Sequence, residues 1–200
     1  MGGAGLFVLS QFPGTQAPIA GIVDELRNAT GSPGAAPDRA ATAPVAEGRI
    51  EVAFSPGGGA ERLVIRVIES AQHSIEMAAY EFTSRPIAEA LGRAAGRGVM
   101  VRLVADAREN DERSGVSRAR YVATAGVGVR LDDVYVIMHN KFIVIDDVTL
   151  ETGSFNYTRS AQSANAENVI VLWDRSDLAQ AFGKYFERLW TESRPLVELN

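Results

Sequence analysis

One short stretch of the sequence places a histidine and a lysine at the start of an otherwise apolar run. The stretch is MHNKFIVIDD, residues 138–147, in which His139 and Lys141 are two positions apart and Asp146 follows the run. Side chains alternate along a β-strand, so His139 and Lys141 point to the same side. A cation and an imidazole in such a strand cost free energy unless they have a use. Both residues are therefore candidates for chemistry.

Two further polar motifs follow in the sequence. GSFN supplies Ser154 and Asn156, and NAEN supplies Glu167. Lysine offers a point charge to the non-bridging oxygens of a phosphate, whereas serine and asparagine offer neutral donors. Histidine can act as a nucleophile or as a general acid and base near neutral pH, and a carboxylate behind it orients the ring. The set of side chains indicates phosphate chemistry.

The elements that must position these residues alternate between strand and helix at first, and several strands then follow one another. The run after the histidine is apolar on both faces, with Phe142 and Val144 on one side and Ile143 and Ile145 on the other, which predicts a central strand. The whole order predicts an α/β domain with a mixed sheet of about seven strands and helices on both faces.

Helical signals mark four segments of the chain. One begins with the N-cap residue Ser84, carries Pro86 in its first turn and ends at Gly98. The others span residues 60–73, 114–126 and 175–193. The apolar residues of the closing helix recur on one face, which predicts that this face is buried; they are Leu178, Phe182, Phe186 and Leu189.

Composition divides the chain into a tail and a folded domain. Residues 30–48 are rich in Ala, Pro, Gly and Thr, which is the composition of a linker. We therefore interpret residues 1–48 as an N-terminal segment with a flexible linker, and residues 49–200 as the catalytic domain. The apolar stretch GLFVLS near the start is either the remnant of an export signal or a docking segment. The linker favours a periplasmic or secreted protein and leaves a cytoplasmic one open.

Charge and cysteine content narrow the choice of function. The 200 residues carry a net charge of −5 and include no cysteine, which excludes disulfides and thiolate zinc sites. Phosphate binding must then come from a local patch or from specific groups. A charge-rich segment after the third strand is either a solvated loop or the substrate entrance; its arginines are Arg108, Arg113, Arg118 and Arg120.

The combined pattern H-x-K-x4-D followed by G-S-x-N resembles the phospholipase D superfamily. It is most similar to the small bacterial branch of non-specific endonucleases that carry one such motif per chain. The similarity covers residues 49–193 and includes the stretches GRGVMVRLVAD and NAENVIVLW in the same order. H-x-K alone would be a weak signal, but its combination with G-S-x-N and N-x-E-N at these distances is specific.

The resemblance implies a metal-independent phosphodiesterase that needs no cofactor. A nuclease acting on nucleic acid is the first hypothesis, and a phospholipase D that cleaves a phospholipid headgroup or cardiolipin is the alternative. A catalytically inactive binding module is a third hypothesis, which the intact set of site residues disfavours. Tyr80 and Glu81 end the second strand near the expected site, and packing is the favoured role of Tyr80.

The resemblance also implies a role for each site residue. His139 attacks phosphorus and forms a phosphohistidine, and Lys141 and Asn156 bind the phosphate oxygens with support from Ser154. Because lysine and asparagine supply the electrostatic stabilisation, no metal site is expected.

Two carboxylates are expected to support this chemistry. Glu167 is expected to hold the imidazole of the catalytic histidine, and Asp146 to be a buried partner that organises the site.

One more expectation concerns assembly. The reaction needs a nucleophilic histidine and a second group that protonates the leaving oxygen. The chain contains two histidines, and His73 lacks the x-K partner that His139 has. We therefore expect a homodimer in which two copies of His139 meet in one shared site.

Overall fold

A computed structural model of the chain describes residues 48–110 and 116–196. The interpretation of residues 1–48 as a segment with a linker falls, except for Gly48, outside the described residues. Arg113 of the charge-rich segment also lies outside them.

The described residues form eight strands and five helices. The strands are β1 (Ile50–Ser55), β2 (Ser74–Ala79), β3 (Met100–Asp106), β4 (Gly128–Asp132), β5 (Lys141–Ile145), β6 (Thr149–Gly153), β7 (Glu167–Leu172) and β8 (Arg194–Pro195). The helices are α1 (Ala60–Ser70), α2 (Arg85–Gly96), α3 (Ala119–Thr124), α4 (Arg159–Ser163) and α5 (Ser176–Glu192).

All strands belong to one mixed sheet in the order β1-β7-β6-β5-β2-β3-β4-β8. Strands β2, β3 and β4 run parallel, whereas the pairs β2–β5, β5–β6, β6–β7, β7–β1 and β4–β8 are antiparallel. The predicted mixed α/β sheet is confirmed. The sequence pattern missed α4 and β8 because five and two residues are too short to show a period.

Strand β5 lies inside the sheet and is covered on both faces, as its apolar run predicted. Ile143 and Ile145 belong to a core with residues of α1 and α2, whereas Phe142 and Val144 belong to a second core with residues of α5. Helices therefore pack on both sides of the sheet. Burial of each of these side chains stabilises the fold by roughly 1.5–3 kcal/mol.

The helices follow the local signals in the sequence. The hydroxyl of Ser84 accepts a hydrogen bond from the backbone N–H of Ile87 at 3.3 Å, and α2 carries a proline in its first turn. On α5, Phe186 and Leu189 are fully buried, and Leu178 and Phe182 pack partly buried against the same core. Every helix in the described part of the chain is too short or too polar to traverse a bilayer.

The strand directions bring several chain segments to one edge of the sheet. Strands β1, β2, β3, β4 and β6 end at this edge, and β5 and β7 begin there, as the registers of the pairs require. We call it the site edge. The residues that precede β5, follow β6 and start β7 therefore lie together although they are far apart in sequence.

Candidate active site

His139 and Lys141 lie at the start of β5 on the site edge, and both contact Tyr80 at the end of β2. The imidazole of His139 is exposed, and its ring centroid lies 4.5 Å from that of Tyr80 in an edge-on arrangement. The ammonium nitrogen of Lys141 lies 5.1 Å from the centre of the same ring, within the range of a cation–π contact. Tyr80 therefore has the packing role predicted for it, and it packs against both catalytic candidates.

The ammonium group of Lys141 is half-buried between negative charges. Its Nζ donates a hydrogen bond to the carbonyl oxygen of His139 at 3.0 Å. Burial lowers the pKa of Lys141, and the carboxylates of Glu167 and Glu81 oppose this shift. The lysine thus supplies a positive charge that is less hydrated than a surface lysine and is available to an incoming anion.

The GSFN motif forms a tight connection at the end of β6. A side chain at Gly153 would place its Cβ 2.2 Å from the carbonyl oxygen of Asn168, so this position requires glycine. The hydroxyl of Ser154 donates to Glu167 at 2.7 Å and accepts a hydrogen bond from the backbone N–H of Asn168 at 3.0 Å. Ser154 therefore joins β6 to β7 and supports the loop that follows.

Asn156 reaches the same edge and is held by Glu81. Its Nδ2 donates a hydrogen bond to Oε2 of Glu81 at 3.0 Å. Its Oδ1 is buried and has no partner among the described residues. One amide N–H of Asn156 is thus used by Glu81, and an amide group has a second N–H that can donate to another acceptor.

Two buried residues that the sequence analysis missed support the backbone near the catalytic candidates. The carboxylate of Asp106 accepts a hydrogen bond from the backbone N–H of Met138 at 2.8 Å, directly before His139. The amide of Asn110 donates to the carbonyl oxygen of Tyr80 at 2.7 Å. Both lie at or after the end of β3, and polar residues at the ends of neighbouring parallel strands were the signal that could have found them.

Glu167 lies at the site edge, but its partners differ from the expected one. Its carboxylate accepts hydrogen bonds from Ser154 and, at 3.1 Å, from Nδ2 of Asn165. Among the described residues no hydrogen bond joins it to His139. Glu167 therefore bonds to Ser154 and contributes negative charge near Lys141. The expected hydrogen bond to the imidazole is not formed in the structure.

Asp146 is not part of the site, which corrects the expectation that it organises the catalytic residues. It follows the far end of β5, roughly 16 Å from Lys141 at about 3.3 Å per strand residue. Its carboxylate accepts hydrogen bonds from the backbone N–H groups of Gln72, His73 and Ser74 at 2.7–2.8 Å. Burial alone would raise the pKa of Asp146, but these donors hold it below its ordinary value. Asp146 is a structural residue that ties the β5–β6 turn to the start of β2.

Replacement of Asp146 by alanine should lower stability and leave the chemistry intact. Loss of the charged acceptor of three backbone donors should lower the free energy of unfolding by roughly 1–3 kcal/mol. Asp147→Ala is the matched control. It makes the same substitution at the next residue, whose backbone has a similar positive φ (58°, against 52° at Asp146). Urea unfolding measures the stability, and turnover at room temperature measures the activity. A folded Asp146→Ala protein without activity would mean that Asp146 is needed for catalysis.

A buried carboxyl group lies beneath the loop that carries Asn156. Glu151 of β6 is 1% exposed, and its Oε2 accepts a hydrogen bond from the hydroxyl of the buried Tyr157 at 2.8 Å. Burial raises the pKa of Glu151 to about 8, which outweighs the opposite effect of the tyrosine hydrogen bond. Glu151 is therefore protonated at neutral pH in the folded protein.

This raised pKa predicts how stability depends on pH. The folded protein holds the Glu151 proton more tightly than the unfolded chain, so the contribution is complete below about pH 4.5 and is lost as pH rises through about 8. Relative to Glu151→Gln, the parent should lose up to ~1.4 kcal/mol per pH unit across this window. Urea unfolding of both proteins at pH 5, 6.5 and 8 measures the difference, and parallel profiles would contradict it.

The other histidine and the arginines lie in different places. His73 precedes β2, so it sits at the end of the sheet opposite the site edge. Arg108 follows β3 at the site edge and donates to the carbonyl oxygen of Val136 at 3.1 Å. Arg118 also lies there, because its backbone N–H donates to the carbonyl oxygen of Phe82 at 2.9 Å. Arg120 falls in the short helix α3 that follows.

The donor set suits an oxyanion better than a metal ion. Within residues 48–110 and 116–196 no group of three or more His, Asp or Glu side chains has the geometry of a metal site. The site edge instead combines an exposed imidazole and an ammonium group at the start of β5 with an amide N–H from the loop after β6. This arrangement can hold a phosphate by its non-bridging oxygens while a ring nitrogen approaches phosphorus.

Known proteins are similar to this chain in sequence and in fold. The family described as "Cardiolipin synthase, PLD-like domain" matches residues 64–190. A phospholipase D of Rickettsia prowazekii is 38% identical over 144 residues, which are 72% of this chain and 69% of that protein. A mitochondrial cardiolipin hydrolase of Xenopus laevis is 37% identical over 135 residues, which are 67% of this chain and 62% of that protein.

A solved structure agrees with these sequence matches. The crystal structure of Nuc, a phospholipase D family member from Salmonella typhimurium, matches with a TM-score of 0.73 and 40% identity, covering 76% of this chain and 100% of Nuc. The family match spans His139 through Glu167 and so includes all three motifs. The resemblance inferred from the sequence is confirmed: the chain is a phosphodiester hydrolase that belongs to the phospholipase D superfamily, in the branch with one H-x-K motif per chain.

Proposed function

We propose that this hydrolase cleaves phosphodiester bonds of nucleic acids without a metal ion, through a phosphohistidine on His139. The observation that carries the proposal is the meeting of His139, Lys141 and Asn156 at one sheet edge. A ring nitrogen of His139 attacks phosphorus while Lys141 and Asn156 bind the two non-bridging oxygens. The P–O bond to the leaving group breaks, and the leaving oxygen takes a proton from a second acid.

Water completes the reaction in the second step. It attacks the phosphohistidine, the P–N bond breaks, and the group that donated a proton in the first step accepts one from water. The products are a phosphomonoester and an alcohol, and His139 returns to its neutral form.

Exposed arginines at the site edge support a polyanionic substrate. Arg62, Arg85 and Arg159 lie in the first turns of α1, α2 and α4, and Arg108 directly follows β3. All four are exposed. The chain as a whole is acidic, so this local group of cations supplies attraction to the phosphates that flank the one being cleaved.

A lipid phosphodiester is the second candidate, and an exposed apolar loop favours it. Val134, Val136 and Ile137 precede His139 and are 57%, 76% and 52% exposed. Apolar side chains beside a catalytic residue fit a lipid surface. Two of the relatives are named as a phospholipase D and as a cardiolipin hydrolase, which agrees with this candidate.

We also propose that the active unit is a homodimer with one shared site. The mechanism needs a second acid, and the other histidine of the chain, His73, lies at the opposite end of the sheet. A two-fold axis near His139 would supply the second imidazole from the partner copy and would cover the exposed 134–137 loop. An isologous interface of this kind is the commonest arrangement of soluble oligomers.

One assay separates the candidate substrates. Purified protein is incubated in EDTA with plasmid DNA, single-stranded DNA, RNA, and vesicles of phosphatidylcholine with cardiolipin. We expect cleavage of nucleic acid in EDTA and no release of lipid headgroups. Lipid turnover without nucleic-acid cleavage would select the second candidate, and activity that requires added zinc or magnesium would contradict the metal-independent mechanism.

A further inference from the structure

Glu81 places a negative charge inside the group that is proposed to bind phosphate. Its Oε2 lies 3.0 Å from Nδ2 of Asn156, the amide assigned to a phosphate oxygen. Glu81 is half-buried and belongs to the segment directly after β2, next to Tyr80. Together with Glu167 it is close enough to Lys141 to act on the charge of that ammonium group. One cation is thus flanked by two carboxylates.

This balance of charge should make the site bind the substrate of the reaction more tightly than the product. A phosphodiester carries one negative charge, which the ammonium group of Lys141 can neutralise. A phosphomonoester carries about 1.5–2 negative charges at pH 7, because its second pKa is near 6. In the proposed shared site each copy of Lys141 is flanked by its own Glu81 and Glu167, so the carboxylates outnumber the lysine ammonium groups and the additional charge of the monoester faces the carboxylate of Glu81. Two like charges several ångströms apart in a partly buried site change binding by roughly tenfold.

We propose that Glu81 is a specificity-determining residue that selects singly charged phosphodiesters over doubly charged phosphomonoesters, and so speeds release of the product. The inference rests on the proposed phosphate-binding roles of Lys141 and Asn156. Hydrolysis turns a diester and water into a monoester and an alcohol, and the monoester loses a further proton above about pH 6. Repulsion by Glu81 therefore arises only after the chemistry is complete.

The same residue also orients Asn156, and one substitution separates the two effects. Glu81→Gln keeps an oxygen that accepts the Nδ2–H of Asn156 but removes the charge. Glu69→Gln is the matched control, because it makes the same change of charge at the far end of α1, where Glu69 pairs with Arg93. Neither Glu69 nor Arg93 lies at the site edge.

The experiment compares a monoester with a diester in each protein. Bis(4-nitrophenyl) phosphate is the substrate, and phenyl phosphate, a monoester whose second pKa is near 6, is the competing ligand. At pH 8 we expect Glu81→Gln to lower the ratio of the inhibition constant of the monoester to the KM of the diester by about tenfold. At pH 5, where the monoester carries close to one charge, the ratio should match that of the parent. Glu69→Gln should leave the ratio unchanged at both values of pH.

Two outcomes would overturn the inference. An unchanged ratio at pH 8 would mean that the charge of Glu81 does not select between the ligands. An equal change at pH 5 and pH 8 would mean that Glu81 acts through the orientation of Asn156 alone. If the parent protein does not hydrolyse the diester, the proposed function fails instead. Calorimetric titration with the same two ligands then gives the ratio of their dissociation constants, and the same changes with pH and substitution are expected of that ratio.

Discussion

Replacement of His139 by asparagine should lower kcat for the preferred phosphodiester by more than about 10⁴-fold. General acid–base catalysis by a histidine alone contributes about 10²–10⁴, and loss of the nucleophile removes the covalent route as well. Asparagine keeps a polar side chain of similar reach, so binding should persist while turnover stops. Single-turnover assays in EDTA measure the chemical step directly.

The position of His139 makes this a clean test of chemistry. The imidazole is exposed and its described ring contact is with Tyr80, so the free energy of unfolding should change by no more than about 1 kcal/mol. His73→Asn is the matched control, because it removes the other histidine of the chain from the far end of the sheet. Full activity in His139→Asn, or loss of activity in His73→Asn, would contradict the proposed mechanism.

The same variant reports on the proposed dimer. Sedimentation should show two chains per particle at the concentration of the assay. After subunit exchange with excess His139→Asn protein, most parent chains would sit in mixed dimers that have one imidazole in the shared site. Activity per parent chain should then fall well below the value given by dilution alone. A fully active monomer would contradict the dimer and would move the acid role to a carboxylate such as Glu81 or Glu167.

Local signals were enough to predict the sheet and the residues that meet at its edge. The two-sided apolar run Phe142–Ile145 predicted a covered central strand, and β5 is one. The motifs that contain Lys141 and Asn156 start and follow neighbouring antiparallel strands, so a short connection returns them to the same edge. Their roles in catalysis remain predictions, as does export, whose support comes from residues outside the described part.

The sequence could not predict which residues of neighbouring strands contact one another, because these contacts depend on strand order. β5 lies beside β2, although many residues separate the two strands in sequence, and this pairing brings Tyr80 to Lys141. The sequence predicted that Tyr80 lies near the site, but its local pattern does not indicate Lys141 as the neighbour. For Asp146 the reverse mistake was made, and closeness in sequence was taken for closeness in space. Asp146 is close to Lys141 in sequence, but an extended strand carries residues apart, and the two lie at opposite ends of β5.

Replacement of Lys141 by methionine should lower kcat/KM by about 10²–10³-fold, the loss seen when one donor to a developing oxyanion is removed. Methionine keeps a flexible apolar side chain of similar length beside Tyr80 but removes the ammonium group that contacts the ring, so the loss reports the charge. Without the ammonium group, Glu81 and Glu167 would face the phosphate uncompensated. We therefore expect KM to rise and kcat to fall, because the charge stabilises both the bound diester and the transition state.

Two further variants make the Lys141 result specific. Lys184→Met makes the same change of charge on α5, away from the site edge, and should keep parental kinetics. Lys141→Arg restores a cation but offers a planar fork in place of a compact point charge, so it should recover part of the lost activity and not all of it. Equal kinetics for Lys141→Met and the parent would mean that the phosphate is held elsewhere. A rise in KM with unchanged kcat would limit Lys141 to substrate binding and leave transition-state stabilisation to Asn156 and the second histidine.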